Sequence, residues 1–418
     1  MKGDTIKVGI VGCGGISRLY TNIYAGLADI ANVVAVADLD EGLAGARRRA
    51  IAQSYAAEAA RSRSLALDAR DEKTRSRHAT LADAAEAAAA VDVRTYRGYK
   101  ELLADGEVEA IVLLTPPVVR GEPTIAAAES GRHVFTQGPM ARSVEEADGM
   151  VEAVSRAGIK FHSQCGSRYA RGMALAKLAV ESGKLGKIGS ARVELNWYRG
   201  QAYYRGWHGT WEGEGGGAAF HHGRYIIDPF LWVIGSRVTE VFAYSGPALR
   251  DIEHESLSQA VVRFGNGATG TIHVSLLNHA QDLTPEGRFE VLGQDASLLV
   301  GEQYHTAPTE GFARDNYWEA DTSFGSSDNP AAVDALEALR ARAGAVPERA
   351  TEADQSRLWL ESIADDSEPI VPIDVPRHHV EVVRAIYKSA ATHKPVDLPL
   401  GRDDPFYRFE GHVVAAAD

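Results

Sequence analysis

The chain has 418 residues, 45% of them apolar and 24% charged, the make-up of an ordinary globular protein, and it is longer than one hydrophobic core usually serves. Lys plus Arg number 44 against 57 Asp plus Glu, a net charge of -13. That field repels polyanions, which argues against nucleic acid or an anionic membrane as a partner, while leaving room for a local pocket that binds a cofactor pyrophosphate. Two cysteines, Cys13 and Cys165, stand far apart in neither a CxxC nor a zinc-like cluster. A single disulfide could be drawn, but two isolated thiols fit a reducing compartment better. The apolar run Ile6 to Val11 is too short for a signal h-region, and no long apolar stretch follows, so a cytoplasmic protein is expected.

In chain order, the first candidate strands are Ile6 to Val11, Val33 to Ala37, Val91 to Thr95, Ala110 to Leu114, His133 to Thr136 and Ile159 to Ser163. Most are apolar throughout rather than alternating, as strands buried on both faces of a parallel sheet should be. Helix-like segments separate them, which predicts a doubly wound α/β domain over 1–164. Residues 44–90 are rich in Ala and Arg, with Arg47-Arg48-Arg49 near the start, and predict one or two helices inserted as a solvated surface feature. After residue 165 the runs alternate: Ser190 to Trp197, Gln259 to Phe264, Thr269 to Ser275 and Arg288 to Leu292. These predict a large open, mostly antiparallel sheet in an α/β domain over 165–418, with Asn266-Gly267 as a hairpin turn and helices near 170–183, 217–234 and 377–393 on one face.

The first strand runs into Gly12-Cys13-Gly14-Gly15-Ile16-Ser17. Gly12 permits a tight turn, Gly14 lets the backbone approach a pyrophosphate, and the helix that follows presents free N–H groups to it. Ser17 occupies the position of a third small residue. The second strand ends at Asp38, 21 residues past Ser17, where a carboxylate takes the adenosine ribose hydroxyls. A carboxylate there repels a 2′-phosphate, and Leu39 rather than Arg follows, so NAD is favoured over NADP.

Several motifs in order resemble the Gfo/Idh/MocA oxidoreductases, the glucose–fructose oxidoreductase and inositol dehydrogenase group. They are the glycine loop, Val36-Ala37-Asp38, Val108 to Val112 leading into Thr115-Pro116, Gly131-Arg132-His133-Val134, Arg168-Tyr169, and Gly183 to Gly189. Gly215-Gly216-Gly217 with Asp228 and Trp232, then Ala385 to Ala390 before Val396-Asp397-Leu398-Pro399, complete the set. The resemblance covers nearly the whole chain. It implies NAD(P)-dependent oxidation or reduction at a secondary carbinol of a sugar, cyclitol or similar compound, with Gly12, Gly14, Gly15, Ile16, Asp38, Thr115, Pro116, Gln137 and Gly138 on the cofactor. It also implies homodimers or homotetramers built through the C-terminal sheet.

The catalytic positions depart from the family. Its usual Glu-Lys-Pro stands here as Gln137-Gly138-Pro139, so the Lys that holds the reacting hydroxyl is Gly138. The usual Asp and His after the triple glycine are His221 and Tyr225, and a His often found after the Thr-Pro motif is Arg120. On an α-helix His221, Tyr225 and Asp228 share a face at i, i+4 and i+7, with His222 about a hundred degrees round. His221 is then the expected base, its unperturbed pKa lying near neutrality, and Tyr225 either the hydrogen-bond donor to the substrate oxygen or the relay of its proton. Both residues also have a structural reading, as a satisfied helix-start His pair and a packed ring. Asp228 before Pro229 reads as a structural hydrogen-bonding residue at a helix kink. Trp207 and His208, within the aromatic stretch 197–211, suit a carbohydrate ring and equally suit a core or interface cluster. Arg168, Tyr169 and His222 complete the expected substrate side, Arg168 equally suiting the cofactor or a structural place at a domain junction, and no metal site is expected.

The function expected is an NAD-dependent dehydrogenase or reductase acting on a sugar, polyol or glycoside, Gly138 making room for a bulkier substrate. Two alternatives stay open. One is a redox-neutral enzyme that uses NAD transiently for elimination, epimerisation or glycoside cleavage. The other is a non-catalytic NAD-binding sensor or subunit.

Overall fold

The computed structural model describes residues 5–164, 171–183, 185–279, 287–295, 297–302, 351–369 and 371–412. The chain groups into two units. In the first run β1 (Ile6–Val11), α1 (Ser17–Ala25), β2 (Ala31–Ala37), α2 (Glu41–Asp68), α3 (Glu72–Ala89), β3 (Arg94–Tyr96), α4 (Tyr99–Leu103), β4 (Ala110–Leu113), α5 (Gly121–Glu129), β5 (His133–Thr136), α6 (Val144–Ala157) and β6 (Phe161–Ser163). The strands form one sheet in the order β3-β2-β1-β4-β5-β6, every pair parallel. The order reverses between β1 and β4, and in such sheets that reversal opens a ligand crevice at the carboxyl ends of the strands. Apolar composition explains the arrangement: every residue of β4 is buried, as are Val8, Ile10, Val33, Val36 and Phe135 of its neighbours.

The Ala/Arg-rich insertion is the α2–α3 hairpin, with Ala82, Ala85 and Ala88 of α3 buried. Asp40 starts α2 by accepting the Gly42 and Leu43 N–H groups at 2.8 and 3.1 Å. The insertion is not wholly a solvated surface. Tyr55 packs into the sheet core, and Arg47 is buried with its guanidinium donating to Thr21 Oγ1 at 3.2 Å.

The second unit contains α7 (Arg171–Glu181), β7 (Ile188–Asn196), α8 (Trp211–Glu214), α9 (Arg224–Ile234), β8 (Val238–Gly246), β9 (Leu257–Phe264), β10 (Thr269–Ser275), β11 (Gly287–Gly293) and β12 (Ser297–Glu302). After α10 (Glu352–Ala364), α11 (Asp374–Thr392) and β13 (Val396–Asp397) close it. Its sheet has the order β12-β11-β7-β10-β9-β8-β13, antiparallel except for β7 with β10. The expected parallel sheet and the expected mostly antiparallel sheet are therefore both present. Gly267, at φ 87°, turns the chain from β9 to β10, as Asn266-Gly267 predicted. Along each strand one face is buried, through Val241, Ala260, Ile272, Val193, Phe289 and Leu298.

The grouping does not follow a single cut at 164/165. Thr351–Ile373 belongs with the first unit, and Ala141–Ala147, which includes the first turn of α6, with the second. The return of α10 is physical: Trp359 and Leu360 bury in the first core, Trp359 meeting the Phe135 ring edge-on at 5.6 Å, while Gln355 hydrogen-bonds His162 at 3.2 Å. Burying an indole of that size contributes on the order of 2–3 kcal/mol.

Candidate active site

In the first unit the glycine loop leaves β1 at Gly12, whose φ is 95°. A Cβ there would lie 3.0 Å from the Leu114 carbonyl carbon and 3.1 Å from the Thr115 nitrogen, so the loop can pass the end of β4 only as glycine. Gly14 and Gly15 differ: a Cβ added at either meets nothing within 4 Å. The open side of these two residues is a cradle that a side chain would fill, at the N-terminus of α1, where the helix favours an anion. Ser17 is fully buried and donates from Oγ to the Gly14 carbonyl at 2.6 Å, which explains why a small residue stands there. Ile16 is exposed beside the cradle.

Asp38 fastens this loop. Its Oδ2 accepts the Cys13 N–H at 2.7 Å and its Oδ1 accepts the Asp40 N–H at 2.9 Å. A carboxylate has about four acceptor directions, so Asp38 keeps capacity for a ribose diol. Cys13 is a buried free thiol pushed up to about 12, first by burial and then by Asp38, so it packs rather than reacts.

Thr115 and Pro116 follow β4 beside Gly12, and Gln137 and Gly138 follow β5, so the expected cofactor residues do share the carboxyl ends of neighbouring strands. Gln137 is buried and its amide donates to the Tyr20 hydroxyl of α1. Arg120 does not act in place of the family's His. It is buried, with Nε and Nη2 donating to the Thr115 carbonyl at 3.0 and 2.8 Å and Nη1 donating to the Pro139 carbonyl. It therefore ties the loop after β4 to the loop after β5.

The second unit carries the titratable cluster. The triple glycine before it is required by packing: a Cβ on Gly216 would fall 2.2 Å from the Tyr387 hydroxyl, and one on Gly217 would fall 2.0 Å from the Glu255 carbonyl oxygen. Glu255, fully buried, accepts the N–H groups of Gly217 and Ala219 at 3.0 and 2.9 Å and the Tyr387 hydroxyl at 2.7 Å. It holds the start of a π-helical turn over Ala218–His222, closed by Gly223 N–H to the Ala218 carbonyl, after which α9 begins. The expected single α-helix over 217–234 is thus wrong in its first turn, and the i, i+4 spacing between His221 and Tyr225 does not apply. The glycine-rich start and the Glu255 cap stabilise the wider turn, a feature often found at functional sites.

The consequence is visible in the neighbours. His221 lies edge-on to Trp207 at 6.0 Å and to His208 at 5.8 Å. Tyr225 lies against Trp197 at 5.4 Å and takes a hydrogen bond from Arg224, whose guanidinium also donates to the His221 carbonyl. His222 is buried between Trp197 at 5.9 Å and Tyr203 at 5.6 Å. Burial, then the neighbouring His221 and Arg199, hold it well below its ordinary pKa, so it stays neutral. Trp207 stacks on His208 at 3.7 Å, and Tyr203 lies 4.4 Å from His208 on another side. Trp207, His208, His221, His222 and Tyr225, all singled out in the sequence, therefore come together. Arg168 and Tyr169 lie outside the described residues. Asp228 is buried inside α9, one residue before Pro229.

Sequence reasoning missed the charges beneath this cluster. Glu214 has no exposed surface, yet Oε1 accepts His208 Nδ1 at 2.9 Å, while Oε2 accepts His254 Nε2 and the Gly209 N–H, each at 2.9 Å. His221 Nδ1 stands 3.8 Å from Oε1. Burial works to raise the Glu214 carboxyl, but the bonds from His208 and His254 and the charges nearby hold it far below its ordinary value. Burial also opposes charge on His254, and its bond to the Glu214 carboxylate, with the charge of Glu255 nearby, overcomes this, so its pKa is raised. Glu214 directly precedes the triple glycine, the only sequence signal that could have pointed to it; His254 comes from a loop forty residues away. Among the described residues no group of His, Cys, Asp and Glu is arranged to hold a metal ion, and no helix is long and apolar enough to cross a membrane.

A 3-2-1-4-5-6 parallel sheet with an open glycine cradle and a carboxylate just past the end of β2, joined in one chain to an open sheet with an aromatic–imidazole cluster, defines a dinucleotide-binding protein of the oxidoreductase class. The chain belongs to the GFO/IDH/MocA family: the oxidoreductase family's NAD-binding Rossmann fold matches residues 6–164, and the GFO/IDH/MocA C-terminal domain matches residues 173–299. A scyllo-inositol 2-dehydrogenase (NAD(+)) of Bacillus subtilis (strain 168) is 25% identical over 219 residues, 49% of this chain and 58% of that protein. A 2,7-anhydro-N-acetylneuraminate hydratase of Escherichia coli (strain K12) is 26% identical over 220 residues, 47% of this chain and 57% of that protein. The chain thus matches less than two thirds of the length of these curated relatives. The crystal structure of the WlbA dehydrogenase from Bordetella pertussis in complex with NADH and UDP-GlcNAcA has a TM-score of 0.70 and 25% identity, covering 96% of this chain and 100% of that one.

Proposed function

We propose that the protein is an NAD-dependent oxidoreductase that moves a hydride to or from a secondary carbinol of a sugar, polyol or glycoside. The observation that carries this reading is the cradle at Gly14 and Gly15, empty of side chains and fastened by Asp38. In this reading Gly12, Gly14, Gly15 and Ile16 receive the pyrophosphate and Asp38 the adenosine ribose, with NAD favoured over NADP. Thr115, Pro116, Gln137 and Gly138 border the nicotinamide half. Bound NAD⁺ supplies the hydride acceptor, and NADH the donor for the reverse direction. The chain must then handle the hydroxyl proton. An imidazole of the second unit's cluster, where His221 and His208 stand beside each other, receives it, and Tyr225, held by Arg224, hydrogen-bonds the substrate oxygen. Trp207, which is exposed, is the wall against which a sugar face stacks, backed by His208 and by the buried His222, and Arg168 and Tyr169 complete the substrate side.

The same reading includes a cytoplasmic location, supported by two unclustered cysteines and the free thiol of Cys13. It includes a homodimer or homotetramer as well. The outer face of the second sheet supports this, since Tyr244, Val261 and Leu299 share that face and are 61%, 52% and 39% exposed. The test is absorbance of reduced nicotinamide after NAD⁺ and a panel of cyclitols, free sugars and glycosides are added to pure protein. A signal with any member supports the dehydrogenase.

A second reading is favoured by the hydratase relative together with Gly138 in place of the family's Lys. There NAD would be used transiently, and the substrate would change without net cofactor reduction. Altered substrate alongside silent absorbance would select it. Bound cofactor with unaltered substrate across the panel would instead select the non-catalytic sensor.

A further inference from the structure

Three imidazoles of the second unit approach one carboxylate, and they approach it unequally. Glu214 Oε2 is filled by His254 Nε2 and the Gly209 N–H, both at 2.9 Å, so that oxygen is committed to structure. Oε1 accepts His208 Nδ1 at 2.9 Å, whereas His221 Nδ1, at 3.8 Å, is within ion-pair reach but beyond a hydrogen bond. A carboxylate can only accept, so His208 must present a proton at Nδ1. Its Nε2 is then the ring nitrogen left with a lone pair whenever the imidazole is neutral. The side chain is 18% exposed, against none for Glu214, so the carboxylate is dry while the imidazole borders solvent. Trp207 stacks on one side of that ring and Tyr203 lies on another, which fixes its plane. A buried acceptor that sets tautomer and orientation, and steadies the cation formed when the ring takes a proton, is the physical requirement for a general base.

We propose that His208 is the proton acceptor of the site and that Glu214, anchored from behind by His254 and the Gly209 N–H, is the residue that positions it. The inference rests on the oxidoreductase reading and assigns its proton. In the oxidative direction the substrate O–H bond breaks and its proton goes to His208 Nε2. The electron pair of that bond forms the carbonyl π bond, and the carbon's hydrogen leaves with its pair to NAD⁺. The products are ketone, NADH and an imidazolium hydrogen-bonded to the Glu214 carboxylate. His221, edge-on to His208 at 5.8 Å, borders the acceptor rather than serving as it.

The experiment uses the full chain as wild type, His208→Asn, His221→Asn and Glu214→Gln, with three readouts. NADH fluorescence titration reports the cofactor site, steady-state kinetics on the best panel compound separates kcat from KM, and ¹⁵N shifts of histidine-labelled protein report the tautomer of His208. Expected are an Nδ1–H signal for His208 in wild type that weakens in Glu214→Gln, and a fall in kcat of about 10²–10⁴-fold in His208→Asn with NADH affinity unchanged. The fall in His221→Asn should be smaller. His208 is partly exposed, so its variant carries the test even if Glu214→Gln does not fold. An Nε2–H tautomer in wild type, or a His208→Asn enzyme with unchanged kcat, overturns the proposal while leaving the oxidoreductase reading intact. Bound NADH with no redox turnover of any panel compound overturns both, and the tautomer signal then shows whether Glu214 still orders the ring.

Discussion

The two units hold their ligand-facing groups by opposite means. In the first, the cradle is backbone: Gly14 and Gly15 offer open space, and the fastening side chain, Asp38, works by gripping the N–H groups of Cys13 and Asp40. In the second, the site is made of side chains around a buried charge, with Glu214 joining His208 and His254 beneath a wall of Trp207, Tyr203 and His221. A backbone cradle is limited by volume, since one added Cβ changes it while charge nearby matters less. A buried-charge site is limited by balance, since each group's protonation is set by its neighbours and removing one strands another.

The largest effect that would break this contrast concerns Glu214. Glu214→Ala leaves His254 and the Gly209 N–H without their acceptor in a dry interior, which should cost about 3–5 kcal/mol in urea unfolding. A loss near zero would mean the cluster is not held by charge. The pH dependence has a definite sign. The Glu214 carboxyl lies below its ordinary 4.5 in the folded state, so its stabilisation is present above about pH 4.5 and is lost as pH falls toward the folded value. His254 is raised above 6.5, so its contribution is full below about pH 6.5 and is lost as pH rises through the folded value. Urea midpoints across pH should show both limbs in wild type and neither in Glu214→Gln.

Next in size is Gly217→Ala. The new Cβ would sit 2.0 Å from the Glu255 carbonyl oxygen and 2.4 Å from His254 Nδ1, so backbone must move, at a cost of about 1–3 kcal/mol. Gly14→Ala is its counterpart in the first unit. Nothing lies within 4 Å of that Cβ, so unfolding should stay within about 0.5 kcal/mol of wild type. Affinity for NADH should nonetheless fall by about tenfold, ~1.4 kcal/mol. Unchanged affinity would show that the pyrophosphate does not use this cradle.

The same contrast governs what could be read from the sequence. The cradle is local: Gly12 to Ser17 and Asp38 fall on one strand–turn–helix–strand unit, where spacing reports geometry directly. The buried cluster is non-local. Glu214, His254, Glu255 and Tyr387 are separated by up to 173 residues and meet only through tertiary packing, so no periodicity announces them. The π-helical turn at Ala218–His222 escaped because apolar spacing assumes 3.6 residues per turn, and it is the Glu255 cap, itself distant, that stabilises the wider geometry. Helix α10 returned to the first unit for a similar reason: Trp359 and Leu360 mark a buried face but not which core it joins.

The smallest effect sharpens the backbone side of the comparison. Asp38→Asn removes the charge that repels a 2′-phosphate and keeps one oxygen for the Cys13 N–H, so the glycine loop should stay fastened, while the exposed Asp40 N–H loses its side-chain acceptor to solvent. The preference for NADH over NADPH, measured as the ratio of the two Kd values, should then drop by about fivefold, ~1 kcal/mol. A larger gain for NADPH would need a cation free to take the phosphate. The buried Arg47, with its guanidinium bonded to Thr21, is not such a cation, since burial already opposes its charge and its surface is 7% exposed. Relief of repulsion without a new attraction sets the modest size of the shift. An unchanged ratio would mean that the Asp38 carboxylate serves only to fasten the loop, and that the choice between the two cofactors is made elsewhere in the first unit.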